Sequence, residues 1–372
     1  MQKRWYYILA IAFSYTVAIF GGAFASGREI MQFFGRFGSP GFWGVVVALV
    51  MFAYFGMVAL ITTRRWQTFD YKSYAIRLYR EFLPEKVASK GYWLFEISYL
   101  FLCILILGII TATLAEMFVS EIGIPYGLAI TIVAGIILVV VTFGAGIIRA
   151  FNFTITWALL LAAVIVMAIA FKPISGDSWS VITSGVGPGG AGWLLSAVLY
   201  VSYNLMGVIM ITSLAEPLKD RVGALLAGLI GGIGVGVLVL IEYVVAMAYY
   251  PEIVEEALPL WFVCSETGSS LVRFAYDFIL TGAILTTGIA VTYPPVKRFK
   301  GLLIARLGEQ RETMSRFLLT LVLILIGLGL STFGLIPLVA KGFTTMGWIF
   351  TVVFLLPLLI FGSRAAWTKA SK

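Results

Sequence analysis

A run of about 20 apolar residues can cross a bilayer as a helix, and in hydrocarbon every backbone N–H and C=O must find its partner inside the protein. This 372-residue chain is built almost entirely from such runs. They fall at approximately 5–36, 40–63, 91–118, 125–147, 150–171, 191–215, 222–249, 270–293, 315–333 and 337–361. The connections are short except at 64–90, 172–190, 250–269 and 294–314. The fold class that follows is all-α and integral to a membrane, a single transmembrane domain over 1–372 with ten spanning helices. Charge content supports this, since 12% of residues are charged against about 25% in soluble domains.

Charge distribution sets the topology. Lys and Arg concentrate in cytoplasmic loops. With the N-terminus inside, 21 of the 26 Lys and Arg lie on the inner side. Arg28, Arg36, Lys172, Arg273 and Lys341 lie outside or in outer helix halves. A wrong helix count would scramble this partition. Both termini are therefore expected in the cytoplasm and the chain in the cell membrane. The net charge of +8 is accounted for by this bias, so nucleic acid is not an expected partner; the bilayer is. Trp5, Trp66, Trp93, Trp193, Trp348 and Trp367 lie near segment ends, as interfacial belts require. The inner segment 64–90 carries Tyr71, Tyr74, Ala75, Leu78 and Phe82 on one helical face and ends near Pro84, which predicts an interfacial helix. The sequence contains no His, which removes His-based catalysis, His metal ligands and a near-neutral His switch. With no convergent nucleophile either, an enzyme is not expected. Cys103 lies mid-membrane and Cys264 in a loop, so no structural disulfide is expected.

The first segment is interrupted. Phe20-Gly21-Gly22-Ala23-Phe24-Ala25-Ser26-Gly27-Arg28-Glu29 places glycines, each about 1 kcal/mol poorer than Ala in a helix, at its centre. An interrupted membrane helix survives where it lines a cavity or is buried in protein. Its two facing ends attract a cation and an anion. A glycine-lined packing face is the other reading. Five segments occupy roughly 5–171 and five 191–361, so the second half runs through the membrane in the opposite sense. That is an inverted 5+5 repeat, and it predicts a second interrupted helix at 191–215. The centre of that helix reads Tyr200-Val201-Ser202-Tyr203-Asn204-Leu205-Met206-Gly207, polar where apolar residues are the rule. Gly228, Gly232 and Gly236 on the next segment have the spacing of close helix packing.

Segment eight contains Ala283-Ile284-Leu285-Thr286-Thr287. Two hydroxyls and the Ala283 carbonyl offer oxygens to a small hard cation, and Ala18 and Gly21 carbonyls freed at the first break could add more. Alternatively the Thr side chains bond back within their own helix. The pattern Ala-x-x-Thr-Thr with a glycine-broken first helix resembles the shared sodium site of LeuT-type transporters of the amino acid–polyamine–organocation superfamily, which often read Ala-x-x-Thr-Ser there. The run Gly21 to Glu29, followed by Gln32-Phe33-Phe34, is similar to YkvI-type membrane proteins of that superfamily. Ala23 stands where Gly is expected, and Arg28 where Gln is expected. Proton-coupled relatives place a Lys within helix five. Segment 150–171 has none, Lys172 lying at its outer end.

The resemblance implies a sodium-coupled secondary transporter of a small organic solute, an amino acid or similar zwitterion, working by alternating access. Expected substrate contacts are Gly21, Gly22, Ala23, Phe24, Tyr99, Cys103, Ser202, Tyr203 and Asn204. Expected sodium ligands are Ala18, Gly21, Ala283, Thr286 and Thr287. No other cofactor is expected. Intramembrane acids are functional candidates, so Glu29 could pair with Arg28 or Arg273, gate the outer vestibule, or carry a proton; neighbours about 100° apart on a helix, Arg28 and Glu29 need not pair with each other. Glu96 could face an inner gate. Arg273 and Asp277, spaced i and i+4, are expected to pair. Glu116 is expected to be solvated, Glu242 falls within a span, and the acidic segment around Glu252, Glu255, Glu256 and Glu266 reads as a solvated outer loop or a lid. A proton-coupled transporter using Glu29, and a non-transporting ligand sensor on the same fold, are the alternatives. Substrate identity and oligomeric state are not legible in the sequence.

Overall fold

The computed structural model describes residues 2–140, 142, 145–307 and 312–368. The end of the expected segment 125–147 and Arg311, Lys369 and Lys372 of the inner charge set fall at least partly outside the described residues, as do the side chains of Arg149 and Arg306. Among the described residues all regular structure is helical.

The first segment is three helices: α1 (Gln2–Ile19), α2 (Gly22–Ala25) and α3 (Arg28–Phe33). Then follow α4 (Ser39–Trp66), α5 (Tyr71–Arg80), α6 (Glu85–Ile122), α7 (Tyr126–Val139) and α8 (Ala145–Thr183). The second half holds α9 (Gly192–Asn204), α10 (Met206–Met210), α11 (Arg221–Ala246), α12 (Pro259–Glu266), α13 (Ser270–Leu307) and α14 (Glu312–Ser331). A last helical run, α15 (Leu335–Trp367), contains π turns. Eight helices among the described residues are long and apolar enough to cross a membrane. The interrupted first segment and the shorter α7 stand beside them. The chain is a multi-pass membrane protein.

Several helices outrun the sequence expectation. The stretch 172–190 is not a loop as far as Thr183, because α8 continues through Pro173, so Lys172 lies inside a helix rather than at its end. Likewise α13 continues to Leu307, taking up most of the expected connection 294–314. In both places the apolar stripe ends before the helix does, and a helix leaving the membrane needs no apolar residues to keep its backbone bonds.

Two groups of helices pack against each other. α4 lies along α11, α1 along α11 and α9 against α4. In the other group α6 packs on α13, α14 and α7, and α13 on α8. The glycine stripe on α11 serves the first group. A side chain at Gly228 or Gly232 would collide with the backbone of α4 at Gly56 or Ala53, so the two helices touch main chain to main chain. The amphipathic segment forms α5 as expected. Asp70 caps it by accepting from Ser73 N at 2.9 Å, Tyr74, Ala75 and Leu78 are buried, and Phe82 stacks on Phe361 of α15 at 4.6 Å.

Candidate functional site

In a continuous helix the amide of Gly22 would donate to the Ala18 carbonyl four residues back. Instead Gly21 is extended (φ −124°, ψ 178°), and the Gly22 N–H donates to Oγ1 of Thr287 on α13 at 3.1 Å. That hydroxyl donates in turn to the Ala283 carbonyl at 2.7 Å. Ala18, at the partly negative C-terminal end of α1, thus loses its helical partner. The Gly21 carbonyl does not, since it accepts from Ala25 N at 2.8 Å. Thr286 Oγ1 lies 3.0 Å from both the Gly282 and Ala283 carbonyls, the back-bonded arrangement weighed from sequence. Gly22 must be glycine for its surroundings: a Cβ there would meet the Ile284 side chain at 2.5 Å.

The second interruption is milder. α9 ends at Asn204 and α10 runs from Met206 to Met210 before a 3-10 turn over Ile211–Leu214, but Leu205 between them keeps a helical backbone (φ −60°, ψ −14°) and its N–H donates to the Val201 carbonyl at 2.9 Å. The break expected in the run Tyr200 to Gly207 is therefore a single turn residue within one apolar span, Gly192–Leu214.

Between the two interruptions is a cavity of about 360 Å³, within the range of small-molecule sites. Of the expected substrate contacts, Gly21, Gly22 and Ala23 line it from the first break, Tyr99 and Cys103 from α6, and Tyr203 and Asn204 from α9. Phe24 does not. It is buried beside Phe20, ring centroids 6.0 Å apart. Ser202 does not either, because one residue of helix turns it about 100° from Tyr203, toward α15. There its hydroxyl meets Thr351 Oγ1 at 2.8 Å and the Val198 carbonyl at 2.6 Å. Of the expected ion ligands, Ala18, Gly21, Thr286 and Thr287 line the cavity, with Ala283 one bond behind them. Sequence reasoning missed Val17, Ile211, Leu214 and Val291, which carry the cavity toward the N-terminal end of α1. It also missed Phe343, stacked on Tyr203 at 4.6 Å. Val17, Ile211 and Leu214 could have been found by following each interrupted helix a few turns from its break, and Val291 by following α13 one turn past Thr287. Phe343 arrives from α15 with no local signal.

On the other side of the break the chain is closed by the segment after α11. Gly27 (φ +77°) turns the chain into α3, and Leu260 of α12 packs on it while Leu260 N donates to the Ser26 carbonyl at 3.1 Å. Tyr276 on α13 donates to the Ala25 carbonyl. Arg28, 3% exposed, donates through Nη1 to the carbonyls of Val254 at 2.6 Å and Glu256 at 2.9 Å. The expected solvated loop is therefore docked, and Cys264 sits on the short helix α12 rather than in a loop. Burial there, with a smaller contribution from nearby Asp277, pushes the Cys264 thiol up to about 12. Both cysteines are free and buried.

The acids are placed differently from expectation. Glu29 lines the cavity, 5% exposed, and Oε2 accepts from Tyr203 Oη at 2.7 Å. It pairs with neither Arg28, which serves the outer segment, nor Arg273. Arg273 and Asp277 do not form their expected pair: Arg273 reaches Glu121 on α6 at 3.1 Å, and Asp277 accepts from Trp261 Nε1 at 3.0 Å. The i,i+4 spacing permitted the pair, but a neighbouring helix offered each side chain a better-placed partner. Glu116 is half-buried rather than solvated. Glu96, 2% exposed, accepts from Tyr92 and from Tyr71 Oη (3.4 Å) and pairs with Arg298 of α13 at 3.4 Å. Tyr71 in turn lies against Tyr99, ring centroids 6.0 Å apart, so this network on α5, α6 and α13 adjoins the cavity wall.

No family model matches the chain. It is 27% identical over 297 residues, 79% of its own length and 81% of the other's, to the uncharacterized membrane protein YkvI of Bacillus subtilis (strain 168). Among solved structures it is similar to the manganese transporter of Eremococcus coleocola in complex with an aromatic bis-isothiourea substituted compound. The TM-score is 0.51 at 14% identity, over 99% of this chain and 90% of that one. A single-residue mutant of the same transporter gives 0.50 at 13%, over 98% and 89%. At these identities the likeness is one of fold.

Proposed function

We propose that this chain is a secondary transporter, a single domain organised as a 5+5 inverted repeat of the LeuT type with broken helices one and six, and that the cavity between the breaks holds a small organic solute. The observation that carries this reading is the junction itself. The C-terminal end of α1, where Ala18 has lost the Gly22 amide, and the Thr287 hydroxyl of α13, which takes that amide, converge on one cavity. Such a set of paired main-chain donors and acceptors suits a zwitterion such as an amino acid. The pairing of α1 with α11 and α4 with α9, first helix of each half on second helix of the other, is what a two-fold repeat would give. The fold shared with a manganese transporter supports transport. Manganese itself is not carried over. The cavity wall is mostly apolar, and no cluster of three His, Cys, Asp or Glu occurs among the described residues, whereas a divalent ion wants several such ligands.

Sodium at Ala18, Ala283, Thr286 and Thr287 would be the coupling ion. Thr287 Oγ1 presently accepts the Gly22 N–H, and a cation on that oxygen competes with the donor. Ion binding that weakens this bond would shift the first-helix break, which is a physical route from ion to access state. Charge distribution puts the N-terminal side in the cytoplasm. The cavity, extending along α1 toward that side and closed on the other by the α12 segment, is then an inward-facing state. A second reading, proton coupling through Glu29, is favoured by one observation: that carboxyl faces the cavity with no cationic partner.

Thermal stability of the purified protein in sodium against potassium, for wild type and Thr286→Ala, tests the ion site. A ligand at one hundred times its Kd stabilises by about 2.7 kcal/mol. Wild type should melt several degrees higher in sodium and the variant should not. Equal melting in both salts removes sodium and leaves pH-driven uptake as the next assay. Binding of a solute without uptake in proteoliposomes would identify a sensor instead.

A further inference from the structure

Glu242 lies on α11, behind the cavity rather than on its wall. It is 6% exposed, and its Oε2 has no hydrogen-bond partner. The Tyr200 hydroxyl on α9 is fully buried and also without a partner. These two unpaired groups and Glu29 are close enough for their charges to interact. The surroundings are aromatic: Tyr200 packs against Phe34 (5.0 Å), Phe33 (5.4 Å), Tyr203 (5.8 Å) and Phe52 of α4 (6.0 Å), centroid to centroid.

The groups facing this spot from each neighbouring element supply no positive charge. From α9 come Tyr200, Tyr203 and Asn204, whose amide donates to the Tyr200 carbonyl at 3.1 Å. From α13 comes Tyr276, committed to the Ala25 carbonyl. From α11 itself, Tyr243 donates to the Gly38 carbonyl at 2.6 Å. From α3, Arg28 is turned outward to the Val254 and Glu256 carbonyls, and beyond it Arg36 lies over Phe37 at 4.8 Å. Among the described residues no ion pair includes Glu29 or Glu242.

Two carboxylates buried together without a cation cannot both be ionised. One proton resolves the charge, since a protonated carboxyl is neutral and can be buried without a cation. We infer that Glu29 and Glu242 form a proton-binding site that holds one proton between them and exchanges it with cavity water through Glu29. The proton comes from water in the cavity and returns to it. Glu29, the member on the cavity wall, is the port, and Glu242 is the member buried behind it. The inference rests on the reading of the cavity as solvent-accessible and not on which solute or ion is transported.

Infrared difference spectroscopy of the purified full-length protein tests it directly. The wild-type spectrum at neutral pH minus that of Glu29→Gln/Glu242→Gln should contain the C=O band of one protonated carboxyl per chain, shifted in D2O. Glu242→Gln alone should remove or move that band, and Tyr200→Phe should move it by removing a buried polar group beside the pair. Should the Gln variants fail to fold, the wild-type and Tyr200→Phe spectra still decide: the band has to be present at neutral pH and to differ between them. A difference spectrum with no protonated-carboxyl band at neutral pH, as two ionised carboxylates or a bound metal cation would give, overturns the inference. So does a band that is unchanged in the double variant or by Tyr200→Phe. Transport enters none of these readouts, so failure of the sodium or uptake assays leaves this result standing.

Discussion

At the scale of single residues, Gly22 and Thr287 decide how the first helix is broken. The Gly22 amide left its helical acceptor for a hydroxyl on another helix, and it could do so only because nothing larger than hydrogen fits between the break and Ile284. Gly22→Ala should therefore push α2 away from α13. Overpacking costs about 1–3 kcal/mol, while the better helix propensity of Ala returns about 1 kcal/mol. The net loss of stability should be small, but the sodium-dependent rise in melting temperature should disappear. Melting curves in the two salts check both parts; a variant that keeps the full sodium response would detach the ion site from the break. The glycine cluster and the Thr pair were legible as sequence. That they bond to each other was not, because 265 residues separate them and neither residue type names its partner.

Among elements, the segment carrying α12 behaves as a cover fastened at two points, Arg28 to two carbonyls and the Ser26 carbonyl to the Leu260 amide. Cys264 reports on this cover. It is buried, with its thiol held up to about 12 by burial, so between pH 7 and 8 it is almost wholly protonated, and only the thiolate reacts. Maleimide labelling of Cys264 in a Cys103→Ser background should be slow at pH 7.5 and should accelerate at least tenfold in Arg28→Ala, where the fastening is lost. Equal rates in the two proteins would mean that the cover stays shut without Arg28. The acidic composition of 250–269 allowed a solvated loop or a lid and could not decide between them, because the docking runs through main-chain carbonyls, which composition does not register. The pairing of Arg273 with Glu121 escaped for a related reason: helical spacing lists the partners on one helix and says nothing of the next.

For the whole molecule, the two packed groups of helices meet along the cavity, and the walls that continue it lie N-terminal to the first break (Val17) and C-terminal to the second (Ile211, Leu214). A cysteine placed at Ala18, which is exposed in this cavity, should in membrane vesicles react with a charged thiol reagent from the cytoplasmic face and not from the outer face. If alternating access operates, excess substrate or sodium should slow that labelling several-fold. Labelling from the outer face alone would reverse the orientation drawn from the charge distribution. The network of Glu96, Tyr71, Tyr92 and Arg298 joins α5, α6 and α13 near the same wall. The sequence had offered Glu96 for an inner gate, without its partners.

The sequence by itself determined that this is an all-helical membrane protein, where most helices begin, and that the first segment would be interrupted. Those properties follow from apolar length, from glycine and proline placement and from the cost of unpaired backbone in lipid, all of which are local. Only the tertiary structure decided which carboxyls stand without a cation, which hydroxyl takes the Gly22 amide, that Ser202 and Phe24 turn away from the cavity, and that Phe343 enters it. These depend on the relative rotation and contact of helices distant in the chain, and periodicity fixes the faces of a helix but not which neighbour each face meets.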